Sequence, residues 1–187
     1  MVCRVTTFAF EGVEAQPVDV QVQLTGGNPN FHIVGLPDKA VGESRERVRA
    51  AFASLGLALP PKRVIVNLAP ADLPKEGSHY DLAIALAMLA IMGVIPADYL
   101  EGYAAIGELS LDGGLGETVG VLPAAMAAES MDLRLICPEI CGAEAAWAGG
   151  SVIAARSLIA LINHFTGREA IGAPKAGLLA EPPPGPD

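Results

Sequence analysis

The apolar and polar positions of this chain change rhythm several times, and each rhythm predicts an element. From Val18 to Leu24, apolar residues alternate with Asp and Gln, the period of a strand with one face buried and one wet. Residues 2–10 read as an earlier strand, with a turn over Glu11–Pro17, a second turn over Thr25–Asn30 and a third strand from Phe31 ending at Gly35. Leu36-Pro37-Asp38 then opens a helix with Asp38 as its N-cap. Val41, Val48, Ala51, Phe52 and Leu55 fall on one stripe of that helix, and Glu43, Arg45, Glu46, Arg47 and Arg49 lie mostly off it. Gly56 is a C-terminal stop, and Pro60 and Pro61 precede a strand from Val64 to Ala69.

The second half alternates strands and helices. Asp81 to Met92 is apolar almost all round and predicts a buried helix. A strand follows from Ala104 to Leu111, then a turn at Asp112-Gly113-Gly114 and a helix from Val121 to Ser130. Strand 133–138, helix Glu139–Ala148, short strand Ser151–Ala154 and helix Leu158–Phe165 complete the folded part. From Gly167 the chain is rich in Pro, Gly and Ala without periodicity, the composition of a linker. The division predicted is a domain over 1–166 and a linker over 167–187. Alternating elements give an α/β class, with a more antiparallel first half.

Composition narrows the chemistry. Apolar residues make up 51% and charged residues 18%, enough for a sizeable core built from small aliphatic side chains, since aromatics are only 5%. The net charge of −9 is opposite to that of a free-standing duplex-DNA binder, whose affinity comes from neutralising phosphates. Cys3, Cys137 and Cys141 are odd in number and follow no secretory signal, so they are expected as ordinary thiols rather than a disulfide framework or a zinc site. The apolar run Leu82–Ile95 is too short for a membrane span. A cytoplasmic location is expected.

The segment Asn67–Leu82 stands out, because a strand-to-helix connection does not need two prolines, a Lys-Glu-Gly turn and a lone Asp. Lys75, Glu76 and Gly77 predict a tight turn, read either as loop geometry, with Gly77 supplying an unusual backbone angle, or as a contact surface for a neighbouring subunit, a motor domain or DNA. Asp81 is expected to cap the buried helix or to pair with a cation. Arg45 and Arg49, four apart on one helix face with Arg47 on another, together with Lys62 and Arg63, form either a solvated face or a strip for phosphates or a neighbouring subunit. The scattered His residues, His32 among them, fit no metal-ligand spacing, and Trp147 is expected to pack.

Three blocks carry a resemblance: His32–Ala51, Lys62–Leu89 and Ala105–Ala128. Together they resemble the N-terminal domain of the ComM/YifB family of magnesium-chelatase-like AAA+ ATPases, over residues 3 to 165 or so. The resemblance implies a two-layer α/β (α+β) sandwich like the Lon proteolytic domain and the second domain of a small-subunit ribosomal protein. It also implies an AAA+ motor beyond this segment, using ATP and Mg. A hexameric ring acting on branched DNA in natural transformation is part of the same implication. No G-x-x-x-x-G-K-[ST] occurs in this chain, so no P-loop is expected here. The chelatase likeness of the family is expected in the motor region rather than here, which leaves a metal-insertion role as an alternative only.

A Lon-like fold raises Ser-Lys proteolysis. The pattern around the Lon nucleophile falls on Pro74 to Asp81, with His79 at the nucleophile's place and Ser78 before it; the stretch that should hold the lysine is Val119 to Ala124 and has none. The expectation is a segment with no catalytic, cofactor or metal residues. Its candidate interaction surface is Arg45, Arg49, Lys62, Arg63, Lys75, Glu76, Gly77 and Asp81. Its partners would be its own motor, neighbouring subunits and DNA, with no membrane.

Overall fold

The computed structural model describes residues 1–175. A seven-stranded sheet organises the chain in the order β3-β4-β2-β1-β5-β8-β9. The strands are β1 (Val2–Glu11), β2 (Glu14–Thr25), β3 (Asn30–Val34), β4 (Arg63–Ala69), β5 (Tyr103–Ala105), β8 (Arg134–Pro138) and β9 (Val152–Ala155). Two further strands, β6 (Glu108–Leu109) and β7 (Leu115–Gly116), form a separate small hairpin. β1, β2 and β4 pair antiparallel, while β3–β4, β1–β5, β5–β8 and β8–β9 are parallel, so the sheet is mostly parallel. The more antiparallel first half read from the sequence is present.

The helices are α1 (Lys39–Gly42), α2 (Ser44–Ser54), α3 (Asp81–Ile91), α4 (Val121–Ser130), α5 (Gly142–Ala146) and α6 (Leu158–Phe165). Every residue of α3 from Asp81 to Ala90 is buried. It lies in the larger core with Val5, Val20, Val66, Phe52, Ile136 and Leu161. Burying each of its Leu, Ile and Met side chains contributes about 1.5–3 kcal/mol. A second core, with Phe8, Ala104, Leu135, Cys137 and Val152 beneath Ala124 and Ala145, covers the opposite face of the β1–β5–β8–β9 region. The sandwich is therefore two-layered over β4, β3 and the later part of β2, where Asp19, Gln21 and Asn67 turn away from the core, and gains α4 and α5 as an extra layer over the start of β2, where Ala15 packs, and over the rest of the sheet.

Four local expectations are revised. The turn over Glu11–Pro17 shrinks to Gly12 and Val13, because Glu14 to Pro17 continue the ladder with β1. Pro17 is tolerated there because β4 pairs only from Asp19 onward, leaving that edge of β2 free of a partner. The helix opened by Asp38 is two helices broken at Glu43. The strand predicted over Ala104–Leu111 splits after Ala105. Gly107 is diverted toward α3, its amide donating to His79 O at 3.0 Å and its carbonyl accepting from Leu82 N at 3.1 Å. The helix over Glu139–Ala148 is a 3-10 turn, Glu139–Cys141, followed by α5.

Of the linker region, 176–187 lies outside the described residues. The stretch just after α6 is not free of the domain: the Ile171 amide donates to His164 Nδ1 at 2.9 Å and its side chain packs on the larger core.

Candidate functional site

The site is the loop 70–80 and the elements that hold it. β4 delivers the chain to Pro70, and α3 takes it up at Asp81. Between them the loop is fastened to the segment joining β3 to α1. Lys75 N donates to Leu36 O at 3.0 Å, and Asp38 N donates to Lys75 O at 2.9 Å. The Asp38 carboxylate works twice: Oδ1 accepts from Val41 N at 2.8 Å, capping α1 as predicted, and Oδ2 accepts from Gly77 N at 3.3 Å. Gly77 has φ of +101°, the left-handed region its sequence context called for.

Lys75 is fully buried, and its ammonium donates to the Pro70 carbonyl. Burial lowers the pKa of its amine, with Asp72 opposing the shift. Asp81 is fully buried as well. Its carboxylate accepts from Arg47 Nε at 2.6 Å, from Arg47 Nη2 at 3.0 Å, from the Leu109 amide at 3.0 Å and from the Ser44 hydroxyl. Arg47 also donates to Ala40 O at 2.8 Å. Burial pushes the Asp81 carboxyl above its ordinary value, while Arg47, Ser44 and the Leu109 amide pull it back; the hydrogen bond to Asp81 in turn raises Arg47. One carboxylate thus ties α2, α3 and the β6–β7 hairpin together.

Asp81 therefore pairs with a cation, and the cap alternative is not used: Tyr80 is the N-cap residue and α3 has no side-chain cap. Lys75 and Asp81, expected on an interaction surface, are both buried and do not reach it. Arg45, Arg49, Lys62, Arg63 and Glu76 are exposed. Arg45 and Arg49 lie 3.6 and 3.9 Å from Glu46, pairs worth little in solvent. Ser44 was missed, although it sits on the apolar stripe between Val41 and Val48, where a hydroxyl must find a partner. Arg47, one turn after Glu43 and beside that stripe, is expected from the sequence on a solvated face or an interaction strip, and is instead turned inward to Asp81.

The positions that would carry Lon chemistry hold something else. His79 is 5% exposed, its Nε2 lies 2.6 Å from Phe8 O, and its ring is 5.0 Å from that of Phe10 and 4.3 Å from that of Tyr80. Burial lowers the imidazole pKa, against the Phe8 carbonyl and the charge of Asp38. Gly120, in the stretch where the lysine would fall, adopts φ of +83°, and a Cβ there would meet the Phe10 ring at 2.6 Å. The Ser78 hydroxyl donates to Glu108 at 2.5 Å, not to a basic partner, and the Lys75 amine is turned to Pro70. Cys3, Cys137 and Cys141 are buried free thiols, and burial pushes Cys137 up to about 12. Trp147, expected to pack, is 47% exposed. Among the described residues no helix is long and apolar enough to cross a membrane, and no three His, Cys, Asp or Glu side chains converge as a metal site.

The family model described as subunit ChlI of Mg-chelatase matches residues 20–140. This places the chelatase-family likeness inside the present segment rather than in the motor region alone, a correction to the sequence-based expectation. The chain is 39% identical to the competence protein ComM of Haemophilus influenzae over 162 residues, covering 86% of this chain and 32% of that protein. It is 38% identical to the YifB protein of Escherichia coli over 172 residues, covering 91% and 34%, and 46% identical to that of Salmonella typhimurium over 121 residues, covering 65% and 24%. The chain thus spans about a third or less of the length of these relatives. With the ChlI match across residues 20–140 and the ComM and YifB likeness running through the loop and the buried helix, the chain belongs to the Mg-chelatase-like AAA+ family as a ComM/YifB N-terminal segment.

Proposed function

We propose that this segment is a non-catalytic assembly and DNA-guiding domain for a ComM-type AAA+ ATPase. The motor, with its ATP and Mg, would lie in the two thirds of the relatives' length that this chain does not match. The observation that carries the reading is the occupancy of the Lon-type position. A buried imidazole packed against the tilted rings of Phe10 and Tyr80 stands where a nucleophile would need an open, base-activated hydroxyl. The loop's polar groups are spent on fastening elements to one another, which suits a rigid docking domain. In the full protein the expected role is to hold subunits in a hexameric ring and to present branched DNA to the motor, in recombination during natural transformation.

The test is a chimera in which residues 1–166 replace the matching segment of the Haemophilus influenzae protein. Restored transformation, with loss on deleting the segment, supports the reading. Transformation restored equally by an empty linker, or Ser78-dependent peptide cleavage, overturns it. The family description favours one second reading, a metal-insertion ATPase subunit. A porphyrin-dependent change in the ATPase rate of the longer protein distinguishes it.

A further inference from the structure

Strand β2 carries two features at its opposite ends. At its start, Glu11 faces Glu14 across a two-residue turn made by Gly12 and Val13, and Gly12 supplies the φ of +63° that such a turn needs. Val13 is 89% exposed, an apolar knob between two exposed carboxylates. At its far end, Thr25 pairs with Arg63 of β4, beside the edge strand β3. There a groove of about 260 Å³ has Phe31 and Val64 as its buried floor, Leu59 and Pro60 as walls, and Arg49 and Lys62 at its rim. Arg49 is half-exposed, and Lys62 makes no ion pair among the described residues.

We infer that this groove is the socket for the Glu11–Glu14 hairpin tip of a second copy of the chain. Val13 enters the apolar floor, and Glu11 and Glu14 meet Lys62 and Arg49. Shape and charge complement one another on both sides: an apolar knob with two anionic flanks, and an apolar cleft with two cationic ones. Copies of a chain with net charge −9 repel each other, and this contact brings carboxylates to two of its few cations. A chain cannot fill its own socket, because a strand of twelve residues separates knob from groove by roughly 35–40 Å. The contact joins two different surfaces: repeated head to tail it closes into a ring or runs on as a filament, and made reciprocally between two copies it closes a dimer. This inference rests on the assembly reading above and names the surfaces that assembly would use.

Two measurements test it. Val13→Cys and Pro61→Cys variants, mixed under mild oxidation, should give a disulfide-linked heterodimer. A Val13→Cys mixture with Met126→Cys, an exposed residue of α4 outside the groove, should not. In sedimentation of the 187-residue chain, Val13→Asp and the pair Arg49→Glu/Lys62→Glu should each weaken self-association by about tenfold or more. Mixing Arg49→Glu/Lys62→Glu with Glu11→Lys/Glu14→Lys should restore it. All these positions are exposed, so the fold is expected to persist, checked by unchanged thermal melting. Equal cross-linking to both cysteine partners, a wild-type chain that stays monomeric to about 1 mM, or capture of an unrelated acidic peptide or DNA with no self-contact overturns the inference. If oligomers form but ignore all these variants, the inference fails while the assembly reading stands. If the longer protein also forms no oligomer, both fail.

Discussion

Arg47 on α2 grips Asp81 on α3 with two nitrogens, Nε at 2.6 Å and Nη2 at 3.0 Å, and the carboxylate it holds has no exposure to solvent. Removing the guanidinium leaves a buried charge without its counter-ion. Arg47→Ala is expected to cost about 3–5 kcal/mol of stability by urea unfolding. The double substitution Arg47→Met/Asp81→Leu should recover most of that loss, because a well-packed apolar pair avoids the desolvation of both charges. A double variant as unstable as Arg47→Ala would show that Leu109 and Ser44 depend on the carboxylate more than on the ion pair.

His79 gives the chain a defined response to acid. Its folded pKa lies below the ordinary 6.5 because the ring is buried, so the unfolded chain binds the proton more tightly. Stability from this group is complete above the ordinary value and is lost as pH falls through it toward the folded value. Urea midpoints should drop as pH falls below the ordinary imidazole value of about 6.5, and His79→Phe should flatten that drop while lowering stability at neutral pH through loss of the Phe8 contact.

Lys75 acts on the alkaline side with the same sign. Burial holds its folded pKa below 10.5, so the unfolded chain carries more protons and stability rises as pH climbs from the folded value toward 10.5. Lys75→Met keeps the stem's packing and removes the ammonium. It is expected to abolish that rise and to be at least as stable as the parent at neutral pH. A loss of several kcal/mol at neutral pH would mean that the bond to Pro70 outweighs the desolvation.

Gly35 joins β3 to the segment that clasps the loop. Its φ is +111°, and a Cβ there would lie 2.3 Å from Leu68 O, a backbone atom that cannot step aside. Gly35→Ala should destabilise by more than about 2 kcal/mol. It should also speed amide exchange at Lys75 and Asp38, which are bonded to this segment.

Much of the fold was legible because its signals are local. The all-round apolarity of α3 announced burial, the alternation of β2 announced its two faces, and Val121–Ser130 and Leu158–Phe165 form as helices over the residues read. The misreadings share a cause in tertiary partners. Pro17 looked like a turn residue because its place on an unpaired edge cannot be seen along the chain. Gly107 was absorbed into a strand because its partners His79 and Leu82 are more than twenty residues away. Arg47 and Lys75 were read as surface charges, since a charged side chain is buried only when a distant acceptor is waiting. Asp81, a lone acid leading an apolar helix, announces from the sequence a need for either a cap or a cation, and the fold supplies the cation.

The sheet is one by topology but joined by a single register pair, Thr6 opposite Ala104, where β1 meets β5; β1 and β2 share ten such pairs. What keeps the two halves in contact is apolar packing on both faces: α3 across one, and on the other the second core, in which Phe8 of β1 clusters with Leu135 and Val152. Apolar association weakens in the cold, whereas backbone ladders do not depend on it in the same way. Chilling should therefore open this molecule along that seam like a book along its spine, with each cover still intact.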